Sequence, residues 1–334
     1  MLKEDAASAT LIDELVRLAP GDGPVTVLKD TRVLVVRVGD VVVKAHPPGT
    51  VERDLRSRLD AARGLPGVML APLALEHLEH RERPEHRKQP EHREQPEHPE
   101  RPEHAGDRLV TIWPAGEALS PDDLADGTMP QDAWEGGARL LARLHATPPP
   151  GGIPQAGGPD RLGKAIAELA RVADSADTWQ IRDVMRIRQA YETLAGPLRA
   201  ADQGGPPPGA RLALTHGDWH LGQLVRHEGA WLLIDPDDLG VGDPAWDLAR
   251  PAAWFASGLL DPDLWHTFLS AYIGAGGTAV SHDDPWRELD LPARALTVQL
   301  AATATATAMR AGSALDEVAA ALVSSCGRIV AAAG

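Results

Sequence analysis

Cysteine is almost missing from this chain. Cys326 stands alone in an Ala/Val-rich stretch, so neither a disulfide framework nor a thiolate metal site can be assembled, and the thiol reads as a helix core residue. Long apolar runs are missing too. No segment reaches about 18 apolar residues without a charge, and the first residues carry acids among their bases in a short amphipathic pattern, so no membrane partner and a cytoplasmic location are expected. Positive charge is in short supply: Lys and Arg number 33 against 48 Asp and Glu, a net charge of −15. Affinity for a phosphate backbone comes largely from Lys and Arg displacing counterions, so nucleic acid is not an expected partner.

What is present suits a globular chain. Hydrophobic residues make up 43% and charged residues 24%, and 334 residues are enough for two lobes that each bury a core. After a helical pattern near residues 9–19, β-rich runs at 25–28, 33–38 and 41–44 are separated by Lys29-Asp30-Thr31-Arg32 and by the turn pair Gly39-Asp40, which predicts an antiparallel meander. Residues 51–63 set Val51, Leu55, Leu59 and Ala62 at helical spacing, so a helix should pack behind the strands. Two further strands are expected at 68–75 and 108–113. Between them, residues 83–104 repeat a six-residue unit (RPEHRK, QPEHRE, QPEHPE, RPEH). This Pro- and charge-rich insertion, 76–106, cannot bury enough surface to offset the entropy of ordering and is expected to be disordered. Its histidines alternate with proline at period six and do not converge on one ion.

From Pro130 the texture turns helical, with helices expected at 131–147, 161–174 and 180–200 and several within 264–333. The run Thr303-Ala304-Thr305-Ala306 has strand propensity, yet its Ala-rich surroundings favour a buried helix face. Within the helical part, residues 223–226 and 231–234 should pair as a hairpin around a turn at 227–230. Asp218 precedes the first of these strands and Asp235 follows the second. A hairpin sets its outer ends side by side, which brings both carboxylates to one mouth. Phosphoryl transfer requires such a pair: one carboxylate for the attacking hydroxyl, one for Mg²⁺, and a further oxygen ligand that the Gln223 side chain can supply.

Residues 216–223, HGDWHLGQ, and 234–249, IDPDDLGVGDPAWDLA, together resemble the aminoglycoside phosphotransferase and choline kinase-like superfamily. That family's pattern is His-Gly-Asp, Asn five residues after the Asp, Ile-Asp, then Gly-Asp-Pro with Asp-Leu-Ala; Gln223 stands here in place of the Asn. The HGDxHLGQ form also resembles bacterial maltokinases, whose following acidic segment this chain lacks. The likeness spans roughly residues 22–330 apart from the repeat. It implies an α+β, protein-kinase-like two-lobed fold, with an antiparallel sheet lobe over 1–113 and a mainly helical lobe over 114–334.

The resemblance also implies roles. Asp218 is the catalytic base, Gln223 and Asp235 are Mg²⁺ ligands, His216 anchors the catalytic loop, and Asp243 and Asp247 are the downstream acids that brace it. Lys44, ending the third strand, contacts the α- and β-phosphates of ATP or GTP. Its acid partner on the next helix is Glu52, with Asp54 and Asp60 as alternatives. The backbone of Trp113 and Pro114 becomes the adenine hinge. The first turn has no glycines, so phosphate cover there falls to donors such as Thr31. His145 reads as packing. The function implied is an ATP-dependent phosphotransferase acting on a hydroxyl of a small molecule: aminoglycoside-like, a sugar or an amino alcohol. A catalytically silent nucleotide-binding module stays open, given Gln223 and the glycine-free turn. A protein kinase is disfavoured by the absence of His-Arg-Asp and Asp-Phe-Gly. The acids at 122, 123, 126, 132 and 135 either face a cationic acceptor or cap and solvate helices. Oligomeric state has no signal.

Overall fold

The nearly all-apolar, Val-rich runs 34–38 and 41–45 suit a sheet covered on both faces by different partners, and such a sheet forms in the computed structural model, which describes residues 2–73, 103–105, 107–119, 130–173, 181–194, 196–199 and 211–333. The chain divides into two compact units, residues 1–117 with 226–230, and 118–225 with 231–334.

The first unit opens with α1 (Leu2–Leu18) and continues with β1 (Val25–Asp30), β2 (Leu34–Val38), β3 (Val41–Ala45), α2 (Glu52–Arg63), β4 (Glu103–Ala105), β5 (Arg108–Pro114) and the short β6 (Glu117–Ala118). Five strands form an antiparallel sheet in the order β1-β2-β3-β5-β4. Leu34, Val36, Val38, Val43, Ala45, Val110 and Ile112 point to one face, where α1 covers them with Leu11, Ile12, Leu15 and Val16. The opposite face holds Val42, Leu109 and Trp113 against Leu55 and Leu59 of α2. Lys44, in phase with Val42, lies on this α2-covered face, paired across the sheet with Val35 and Thr111.

Two expectations need correction. Residues 68–73 form no strand: Pro66-Gly67 turns the chain, Pro72 has no N–H for a ladder, and single contacts such as Leu73 N–H to Ile112 O at 2.8 Å replace regular pairing. Glu103–Ala105, assigned to the disordered insertion, instead pair with Arg108–Val110 as the edge strand β4. The rest of the insertion, 76–102 and 106, lies outside the described residues, as do Asp122, Asp123 and Asp126.

The rest of the chain forms α3 (Gln131–Ala146), α4 (Gly158–Ala173), α5 (Ile181–Thr193), β7 (Ala213–Thr215), the hairpin strands β8 (Leu224–His227) and β9 (Ala230–Leu233), whose tip at 226–230 belongs to the first unit, β10 (Gly240–Gly242), α6 (Ala245–Ala256), α7 (Pro262–Gly274), α8 (Trp286–Ala311) and α9 (Glu317–Ala333), with a short turn of helix at Gly196–Arg199. The threonine-alanine run is helical, inside α8. Ala301, Ala302, Thr305 and Ala306 form its buried stripe, which brings the helix close against α4 and α6. The hydroxyls of Thr297 and Thr307 return to the carbonyls four residues back. No described helix is long and apolar enough to cross a membrane. Cys326 is buried in α9, where burial pushes its thiol up to about 12, far from any thiolate chemistry at neutral pH.

Candidate active site

The chain leaves β7 at His216 and returns to it in β10, which pairs antiparallel with β7. The loop between carries the chemistry, and its shape is enforced from several sides. Gly217 has φ +82°, and a Cβ there would come within 2.3 Å of the Asp238 carbonyl oxygen, so only glycine fits. Trp219 is buried, stacked on Phe268 with centroids 5.0 Å apart and edge-on to Trp134. It packs on Gly137 of α3, where a Cβ would lie 2.7 Å from the indole ring.

Beneath the loop sits Asp247, fully buried on α6. Its Oδ2 accepts from His216 N–H at 2.7 Å and its Oδ1 from Gly217 N–H at 2.8 Å. His145 Nε2 donates to Oδ2 at 3.0 Å, and His145 Nδ1 lies 2.8 Å from the Tyr272 hydroxyl, which accepts from Ala279 N–H at 3.0 Å. A proton on His145 Nε2 meets the carboxylate, and the Tyr272 hydroxyl links His145 Nδ1 to Ala279 N–H, so each member of this chain has a partner. Burial alone would raise the Asp247 carboxyl, but the hydrogen bond and charge of His145, with His216, outweigh it and hold the group below the usual carboxylate range. His216 Nε2 donates to Ile234 O at 2.8 Å, tying the loop to the end of the hairpin.

The ends of that hairpin meet as the motif spacing predicts. Ile234 N–H donates to Gln223 O at 3.0 Å, and Gln223 Nε2 stands 3.5 Å from Asp235 Oδ2. Asp235 takes a left-handed backbone, φ +62°, unusual for a residue with a side chain and costly enough to persist only where its surroundings demand it. Asp218 Oδ1 accepts from Arg250 at 2.8 Å, and its Oδ2 pairs with Arg161 at 3.0 Å. Arg161 also pairs with Asp238. Burial would lower the Arg161 guanidinium, but Asp238 and Asp218, with which it pairs, and the charge of Asp235 together raise it. Burial outweighs Asp218 at Arg250 and lowers that guanidinium.

The sequence profile of the phosphotransferase enzyme family matches residues 27–291. This chain belongs to that family. Among solved structures, its fold is similar to a choline/ethanolamine kinase family protein from Mesorhizobium loti (TM-score 0.56, 14% identity, covering 100% of this chain and 95% of the other). It is also similar to an aminoglycoside phosphotransferase from Streptomyces rimosus (TM-score 0.53, 18% identity, 87% and 98% covered). A third, at TM-score 0.56 and 13% identity with 96% and 98% covered, is an aminoglycoside phosphotransferase in a ternary complex with AMP-PNP and hygromycin B. At these identities the likeness establishes the two-lobed α+β fold. No curated protein sequence matches the chain significantly.

In this phosphotransferase the remaining sequence-assigned residues fall as follows. Lys44 is only 7% exposed in β3. Glu52 opens α2 and is held by Arg56 at 2.5 Å, while Asp60 pairs with Arg63 at 3.0 Å. Trp113 is committed to the α2-side core, its indole N–H donating to Thr111 Oγ1 at 3.0 Å, and its backbone sits in β5 opposite Val42. Thr31 lies in the β1–β2 turn, its hydroxyl 3.4 Å from Val33 O. Asp243 Oδ1 accepts from Ala245 N–H at 3.0 Å at the start of α6, and burial raises its carboxyl.

Sequence reading missed Arg161, Arg250 and Asp238, and read His145 as packing where it is a hydrogen-bonded member of the loop support. Arg250 had a visible signal, as the residue that ends the Asp-Leu-Ala run. Arg161 had none. Burial, with Arg250 and His216 nearby, pushes the His220 imidazole down to about 3 from 6.5. As pH falls from 6.5 towards 3, the unfolded chain takes up a proton that the folded chain refuses, so His220 lowers stability over that window. Its ring NMR signals should therefore stay flat from pH 7 to 4, and His220→Gln should flatten part of the acid limb of stability. A His220 ring that titrates near 6.5 would contradict the burial argument.

Proposed function

We propose that this phosphotransferase moves the γ-phosphoryl group of ATP to a hydroxyl of a small molecule. The observation that supports the reading is Gln223 beside Asp235 at the ends of one hairpin, with Asp218 on the loop that Asp247 pins and the charges of Asp218 and Asp235 both acting on Arg161. Asp218 accepts the acceptor's hydroxyl proton, the freed oxygen forms its bond to the γ-phosphorus, the bond to the β–γ bridging oxygen breaks, and ADP leaves. Gln223 and Asp235 offer two hard oxygen donors side by side, once the Gln223 amide turns its oxygen towards the site. Two protein oxygens suit Mg²⁺, which keeps waters and takes phosphate oxygens for its other positions. When bound, the ion neutralises charge on the phosphates. The AMP-PNP found in one structural neighbour supports ATP as donor, and the acceptors named for the neighbours, with the shared hydroxyl chemistry, support a small alcohol as substrate.

Lys44 is assigned to the α- and β-phosphates. A charge-assisted hydrogen bond contributes about 1.5–3 kcal/mol, so Lys44→Met should raise KM for ATP by about tenfold or more in a coupled assay with an accepted hydroxyl substrate. An unchanged KM would remove Lys44 from the nucleotide site. Absence of Mg·ATP turnover against sugars, amino alcohols and aminoglycosides alike, with ATP still bound, would favour the silent nucleotide-binding module.

A further inference from the structure

Between the Asp218 loop and α8 lies a small cavity of about 10 Å³, close to the least space that admits one water molecule and too little for anything larger. Asp218, Trp219, Arg250 and Gln299 line it, and the Trp246 ring and Leu296 complete the wall. Three of these residues carry polar atoms that are shut off from solvent and have no hydrogen-bond partner among the described residues: Trp219 Nε1, Arg250 Nε and Gln299 Oε1. Trp219 is 2% exposed and Gln299 7%, so neither can turn out to bulk water. Buried polar groups are nearly always paired, and three orphans around one cavity call for a partner inside it.

The three differ in kind. Trp219 Nε1 and Arg250 Nε can only donate, whereas Gln299 Oε1 can only accept. A small ion would suit one set and oppose the other. Water meets both, since it accepts and donates, and a buried water is held by two to four such groups. Its second O–H is left for Asp218. The carboxylate already accepts from Arg250 at Oδ1 and from Arg161 at Oδ2, but it has about four acceptor positions in all.

We propose that this cavity is the site of one resident water molecule, which accepts from Trp219 Nε1 and Arg250 Nε and donates to Gln299 Oε1, and that through it Gln299 is a positioning residue for Asp218. The catalytic half rests on the phosphotransferase reading. Trp219 follows Asp218 in the chain and Arg250 holds its Oδ1, so a water fastened to α8 by Gln299 steadies the base from both sides. Without that link the carboxylate is free to drift from the place where a hydroxyl must meet it.

The test uses the full chain with isotope-labelled tryptophan. In the wild type the Trp219 indole N–H, assigned by its loss in Trp219→Phe, should show a rotating-frame cross-peak to water of dipolar sign, opposite to that of proton exchange. Gln299→Met, of similar length but without a comparable acceptor, should lose that peak, with cooperative thermal unfolding showing that the variant folds. With an accepted hydroxyl substrate, Gln299→Met should lower kcat by about tenfold to a hundredfold while KM for ATP stays unchanged. In an Asp218→Asn background the same substitution should cost little more, because a residue acting through Asp218 then has nothing left to position. No dipolar contact at Trp219 in the wild type would overturn the water site. A kcat indifferent to Gln299→Met, or full additivity of the two substitutions, would overturn the positioning role. A wild type with no turnover on any acceptor would instead sink the kinase reading, and the Trp219 cross-peak would still decide the water site.

Discussion

Asp218→Asn is expected to lower kcat by about 10² to 10⁴, the range supplied by a positioned general base, while KM for ATP changes little. The substitution is close to isosteric. The Asn carbonyl can still accept from Arg250, and Arg161 retains Asp238, so the cluster should keep its shape while losing the carboxylate proposed to take the acceptor's proton. Steady-state kinetics with an accepted substrate, together with thermal unfolding of the variant, separates lost chemistry from lost fold. A kcat within about tenfold of wild type would show that another group, or water, takes the proton. Because both guanidiniums bear on this carboxylate, Asp218→Glu is the stricter control. It preserves charge but displaces the oxygens by a methylene, and a misplacement of about 1 Å can cost 10²-fold.

Much of this site was legible because its parts are close in sequence. The hairpin has a short turn, residues 227–230, where Gly229 supplies φ +80°, so the positions of Asp218 and Asp235 at its two ends follow from local geometry. The meander of β1 to β3 was legible for the same reason, with its Val-rich runs and its Gly39-Asp40 turn. The failures share a different cause. No helix was expected over Ala245–Ala256, and α6 contains Pro251, whose missing N–H and ring argue against one; it runs on with Ala249, Ala252 and Ala253 buried. The strand expected at 68–75 was read from buried apolar residues whose burial does not need a ladder. Arg161 reaches Asp218 and Asp238 across sequence gaps that no spacing rule spans, and nothing in α4 marks it among the other arginines of the chain. His145 was read as packing because its helix is apolar around it. Its polar role depends on Asp247 and Tyr272, two residues brought to it by separate helices.

That last network makes Asp247 the residue whose loss should cost the most stability. Its carboxylate accepts two backbone N–H groups of the loop and one from His145 in a place with no access to water, so Asp247→Ala strands three donors at once. Removing one partner of a buried charged cluster costs about 3–5 kcal/mol, a large share of the roughly 5–15 kcal/mol that holds a domain together. Urea unfolding should show the free energy of unfolding lowered by that amount, with activity falling alongside because His216 and Gly217 no longer fix the position of Asp218. Asp247→Asn keeps one acceptor and should fall between. The pH dependence tests the charge itself. The folded carboxyl lies below its unfolded value, so its contribution is complete above the unfolded pKa of about 3.9 and disappears as pH falls through the lower folded value. Wild type should therefore lose stability relative to Asp247→Asn as the solution is acidified below about pH 4, narrowing the gap between them. A gap that stays constant down to pH 2 would mean that Asp247 supports the loop by shape and hydrogen bonding alone, with no part played by its charge.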